Sequence, residues 1–185
     1  MLTAFLTSTG IVALAEMGDK TQLLALILAA RFRKPIPIIL GIFVSTIANH
    51  ALASAIGAWI SNQVDPTYLR WGLGATFIAM AVWILIPDKI DDEHSFFERF
   101  GIFGATVIAF FIAEMGDKTQ IATVMLTAQF HTFYAVVAGT TLGMLIANVP
   151  AVLLGDKITK VISVEWVHRI AALIFLVLGL LAIFN

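Results

Sequence analysis

The sequence predicts an all-α integral membrane protein of six transmembrane helices, folded as two inverted three-helix repeats. Three observations predict it. Of 185 residues, 60% are hydrophobic and 12% charged, about half the charged share of an ordinary soluble domain, so much of the surface must meet lipid. Apolar stretches of about 20 residues, the length that crosses a bilayer, recur six times. Finally, the eight residues Ala15-Glu16-Met17-Gly18-Asp19-Lys20-Thr21-Gln22 return unchanged as Ala113-Glu114-Met115-Gly116-Asp117-Lys118-Thr119-Gln120.

The first span runs from Leu2 to Ala30 and ends at the basic, proline-closed stretch Arg31-Phe32-Arg33-Lys34-Pro35. Lacking a basic leading segment, and with part of it repeated inside the chain, it reads as a span rather than a signal peptide. The second span, Ile36 to Ile60, stops before Asp65-Pro66, and the third, Leu69 to Ile86, before the charged segment Asp88 to Arg99. The fourth, Gly101 to Gln129, is separated by only His131-Thr132 from the fifth, Phe133 to Leu154. After Gly155-Asp156-Lys157 to Glu165 comes the sixth, Val167 to Phe184. Residues 1–86 therefore form one repeat, 87–100 a linker, and 101–185 the second repeat.

Charge sets the orientation. Arg31, Arg33, Lys34, Lys89, Arg99, Lys157, Lys160 and Arg169 fall on one side of the spans and only Arg70 on the other, with Lys20 and Lys118 inside them. By the positive-inside rule both termini face away from the cytoplasm and the 87–100 linker lies within it. The expected location is the inner (plasma) membrane. A net charge of -1 gives no basic field for nucleic acid, and the absence of cysteine excludes disulfides and thiolate metal sites.

The two copies of the acidic motif lie 98 positions apart, and the same offset pairs Gly41 with Gly139, Ala53 with Ala151, Gly57 with Gly155 and Phe77 with Phe175. Ile47-Ala48-Asn49 matches Ile146-Ala147-Asn148 after a one-residue slip. An odd number of spans per copy means that the second enters the membrane from the opposite side. Inverted repeats of this kind recur in secondary transporters, with the substrate site near the midplane where the halves meet.

At about 2.5–3.5 kcal/mol per charged residue, the six charges of the two motifs would cost roughly 15–20 kcal/mol in the bilayer if left unpaired. They must be paired, hydrated or holding an ion. On a regular helix Glu16, Asp19 and Lys20 share an arc of about 100°, and Glu114, Asp117 and Lys118 repeat it. Facing one another, four carboxylates and two ammonium groups leave a formal charge of -2 for a divalent cation to neutralise.

Carboxylate, amide and hydroxyl oxygens suit hard dications, so the expected ligands are Glu16, Asp19, Glu114 and Asp117. Thr21, Gln22, Thr119, Gln120, Asn49 and Asn148 are supporting candidates, and Lys20 and Lys118 counter-ions or proton-coupling groups. An emptied cluster favours proton uptake, which links ion release to proton binding. As straight helices of about 29 residues, spans one and four would measure about 43 Å against a core of about 30 Å. Gly18 and Gly116 are the expected points of unwinding, and Pro150 should free the Ile146 carbonyl.

Two Glu-x-Gly-Asp-Lys-Thr copies in a small six-span chain resemble the bacterial branch of the Gdt family of cation/proton exchangers. The resemblance covers the whole chain and implies manganese export, with calcium as an alternative ion, the motif acids Glu16, Asp19, Glu114 and Asp117 holding the cation. No cofactor is implied: Mn2+ or Ca2+ is the substrate, protons the counter-substrate and the lipid bilayer the surroundings, while the oligomeric state stays open.

Blander readings stand beside these. His50 has no histidine counterpart and reads as a packed or hydrogen-bonded residue rather than a ligand or proton carrier; Met17 and Met115 read as packing, and the 87–100 linker as a solvated connector. Gly139-Thr140-Thr141-Leu142-Gly143 reads as a close helix contact, within one chain or between two. A passive cation channel is the nearest rival function. An intramembrane metalloenzyme is further off, since duplicated identical acids fit two-sided access better than one-sided chemistry.

Overall fold

The computed structural model describes residues 1–83, 85, 100–154 and 164–184. The 87–99 part of the linker and the 155–163 break lie outside them. The described residues form eight helices and no strand: α1 (Leu2–Glu16), α2 (Lys20–Phe32), α3 (Pro35–Gln63), α4 (Pro66–Trp83), α5 (Gly101–Glu114), α6 (Lys118–Phe130), α7 (Phe133–Leu154) and α8 (Val164–Phe184). Among them, α3 and α7 are each long and apolar enough to cross a membrane.

The two stretches read as single long spans are each broken in two. Gly18 at φ 84° and Gly116 at φ 72° interrupt them, in a left-handed conformation that costs a side-chain-bearing residue about 1–2 kcal/mol. The expected unwinding is therefore present, and it removes the regular-helix arc as the device that gathers the acids. Glu16 closes α1 and Asp19 caps α2, just as Glu114 closes α5 and Asp117 caps α6. Both α2 and α6 end on a left-handed residue, Arg33 and His131, whose N–H returns to the carbonyl of Ala29 and Thr127 respectively.

Packing exchanges partners between the halves: α1 lies on α7, α5 on α3, and α4 on α8. Close approach at small residues makes these crossings possible. A Cβ on Gly41 would strike Thr106 and crowd the Phe103 carbonyl, and one on Gly139 would strike the Phe5 carbonyl and crowd Ser8; the second set lies 98 positions from the first. Gly143 meets the Thr9 carbonyl in the same way, so the Gly139–Gly143 segment makes its close contact within the chain. Phe77 and Phe175, one from each half, lie together with ring centroids 6.2 Å apart.

Polarity is distributed inside out. Glu16, Asp19, Asn49, His50, Glu114, Asp117 and Lys118 are buried, while Leu6, Leu52, Trp59, Leu153 and Leu173 are exposed. Such an apolar exterior is unfavourable in water and suits hydrocarbon.

Candidate cation site

Both helix breaks come together at the centre of the fold, because α1 and α2 pack on α7 while α5 and α6 pack on α3. Local hydrogen bonds hold each break open. The Gly18 N–H donates to Gln22 Oε1 at 2.9 Å and the Gly116 N–H to Gln120 Oε1 at 2.7 Å. The glutamine oxygens are thus occupied as caps. Their amide nitrogens cross to the other half: Gln22 Nε2 donates to the Ala147 carbonyl at 2.9 Å and Gln120 Nε2 to Asn49 Oδ1 at 3.3 Å.

The carboxylates are oriented by threonines five residues on. Thr21 donates to Glu16 Oε2 at 2.5 Å and Thr119 to Glu114 Oε2 at 2.9 Å. Each leaves one glutamate oxygen, Oε1, buried without a hydrogen-bond partner among the described residues, and Asp117 Oδ2 is in the same position. Single carboxylate oxygens of Glu16, Asp19 and Asp117 lie within 4.8 Å of one another, a span one dication can bridge at ligand distances of about 2.0–2.6 Å. Glu114 is not part of that triangle.

The lysines pair crosswise. Lys20 Nζ is 2.9 Å from Asp117 Oδ1, and Lys118 Nζ is 3.5 Å from Asp19 Oδ1, so each motif's cation neutralises the other motif's aspartate. The two pairs differ in exposure. The Lys20 side chain is 28% exposed and the Lys118 side chain 2%. Identical motif sequences thus occupy unequal environments.

This duplicated, crosswise acid cluster sits in a chain that matches, over residues 4–92 and 102–185, the family described as divalent cation/proton antiporter GDT1. The chain belongs to the GDT1 family. Among its relatives, a Vibrio cholerae protein described as "Putative manganese exporter" is 52% identical over 174 residues, covering 94% of this chain and 86% of that one. A GDT1-like protein of Synechocystis is 29% identical over 196 residues, covering 95% and 94% of the two chains. GDT1-like protein 3 of Oryza sativa subsp. indica is 27% identical over 201 residues, covering 94% and 71%. No solved structure matches the chain. GDT1 proteins are membrane transporters of divalent cations rather than enzymes, and the metal is their substrate, not a cofactor.

Within this GDT1 chain the remaining candidates divide. Asn49 Nδ2 donates to the Phe111 carbonyl at 3.1 Å while its oxygen receives Gln120; Asn148 donates to the Met144 carbonyl at 3.1 Å and keeps a buried oxygen without a hydrogen-bond partner among the described residues. Met115 is 61% exposed, so the expected packing inside the chain is not found there. His50 is wholly buried as expected, but neither ring nitrogen has a hydrogen-bond partner among the described residues. The crosswise lysine pairing and the capping role of the glutamines were not anticipated. Both follow from the helix break, which turns an i, i+4 neighbour such as Lys20 away from Glu16.

Proposed function

We propose that the protein exchanges Mn2+, with Ca2+ as an alternative, for protons by alternating access, exporting metal from the cytoplasm across the inner membrane. The observation that carries this reading is the buried triangle of Glu16, Asp19 and Asp117 oxygens within 4.8 Å, built from both motifs. An oxygen set suits Mn2+ or Ca2+, and unpartnered buried carboxylate oxygens are costly unless an ion or a proton satisfies them. That cost is what makes the two cargoes mutually exclusive occupants.

In this account α1–α2 and α5–α6 are each one interrupted span, and with α3, α4, α7 and α8 they make six spans in two inverted repeats with both termini outside. Glu16, Asp19 and Asp117 hold the ion, Glu114 is the fourth acid of the cluster beside them, and Thr21, Thr119 and the Asn148 oxygen support it. Lys20 and Lys118 keep the emptied aspartates paired. Purified protein in liposomes tests it: an imposed pH gradient should drive Mn2+ against its own gradient, and E16Q should abolish the movement. Flux that follows the metal gradient with no response to pH would identify a passive pore instead.

A further inference from the structure

The α3–α6 interface carries more polarity than packing needs. On α6, Thr119, Thr123 and Thr127 recur every fourth residue and so share one face; all three are buried. Thr119 bonds Glu114, Thr123 bonds the Thr119 carbonyl at 2.7 Å, and Thr127 bonds Ser54 Oγ on α3 at 2.9 Å. Asn49, His50 and Ser54 line the same stretch of α3, all fully buried, and His50 has both ring nitrogens without a partner among the described residues. The column starts at the carboxylate cluster and runs toward the face that holds the N-terminus. There a cavity of about 600 Å³ opens between helix ends, lined by Thr7, Ser61, Arg70, Gln129 and His131 among others.

The duplication supplies an internal control. At 98 positions earlier, Thr123 and Thr127 become Ala25 and Ala29, and 98 positions after Ser54 stands Val152. Those residues belong to, or pack on, an apolar cluster with Leu28, Met144 and Ala151. The mate interface therefore keeps only the first hydroxyl, Thr21, and lacks the two further threonines and the serine that meets them. Helix association alone does not explain the threonine ladder, although Thr123 bonding its own preceding turn would be unremarkable by itself.

Between column and cavity the interface is shut. Ser54 and Thr127 are joined, and one turn further a Cβ on Gly57 would strike the Val124 carbonyl and crowd Thr127. We propose that the α3–α6 interface is the route by which water and the hydrated dication pass between the acid cluster and the N-terminal face, with Ser54, Gly57, Val124 and Thr127 as its gate. The inference rests on the transport reading above. Gate opening separates α3 from α6, and the freed hydroxyls and His50 ring replace part of the ion's water shell.

The chain's lack of cysteine makes the test direct. In proteoliposomes, T123C should react with a small cationic thiol reagent applied from the N-terminal face at least tenfold faster than V12C, which is as buried, on α1 between that face and the same cluster; equal rates, or a faster V12C, would overturn the route. That readout needs no transport, so an inert protein with the predicted labelling would sink the exchanger reading and leave the route standing. For the gate, oxidising S54C/T127C should form a disulfide, cut Mn2+ flux at least tenfold relative to the same variant before oxidation, and leave equilibrium Mn2+ binding intact. Reductant should restore the flux. Failure to cross-link, or undiminished flux through the cross-linked protein, would contradict the gate.

Discussion

Removing the crosswise ion pairs one at a time should expose how unequal the two halves are. The shorter pair is Lys20–Asp117 at 2.9 Å, but Lys20 is 28% exposed; the longer, Lys118–Asp19 at 3.5 Å, is 2% exposed on both sides. With an effective dielectric near 20 for the buried pair, Coulomb's law gives roughly 5 kcal/mol; doubling the dielectric for the half-open pair gives roughly 3 kcal/mol despite its shorter distance. Burial outweighs distance. Double-mutant cycles isolate such couplings from the desolvation carried by each single change. The cycles D19N, K118M, D19N/K118M and D117N, K20M, D117N/K20M, followed by thermal unfolding in detergent with chelator present, should show the larger coupling for Asp19–Lys118. A difference of about 2 kcal/mol corresponds to about 4–8 °C in Tm for a chain of this size. A larger coupling for Asp117–Lys20, or none in either cycle, would refute the assigned pairing.

Other outcomes are as specific. G139A should lower Tm, because its Cβ meets the Phe5 carbonyl, whereas G10A, which meets nothing within 4 Å, should raise stability by about 0.5–1 kcal/mol through helix propensity; the same sign for both would contradict the α1–α7 contact. Q22L removes a side chain bonded at both ends, which at about 0.5–1.5 kcal/mol per hydrogen bond predicts a loss of about 1–3 kcal/mol, with faster amide exchange at Gly18. If protons and metal compete for the same carboxylate oxygens, as proposed, Mn2+ binding should release protons and its affinity should rise with pH. Calorimetry in buffers of different ionisation enthalpy should register that release, and a pH-independent affinity would remove the coupling.

How much was legible in the sequence depends on what carried the signal. Helix content and the two breaks were readable because hydrophobic length and glycine placement are local properties: a continuous span of about 29 residues does not fit a bilayer core of about 30 Å, and Gly18 and Gly116 were the residues able to relieve it. The acids were readable because Glu16 to Gln22 repeats whole. What a single helix cannot reveal is the direction of each side chain after the break. The regular-helix geometry put Lys20 beside Glu16, while the structure sends it to Asp117 on the other half. Gln22 was read as an ion ligand from its polarity, yet its oxygen serves the Gly18 N–H that the break releases. The threonine ladder of α6 takes its meaning only from Ser54 and Gly57, which come from a distant part of the chain.

The central claim is that one dication sits between the two motifs, held by their carboxylates. An anomalous-scattering map from crystals soaked in Mn2+ tests it most directly. The account predicts a single peak between the Glu16, Asp19 and Asp117 side chains, lost in E16Q. A peak elsewhere in the fold, or none beside these carboxylates at saturating Mn2+, would contradict it.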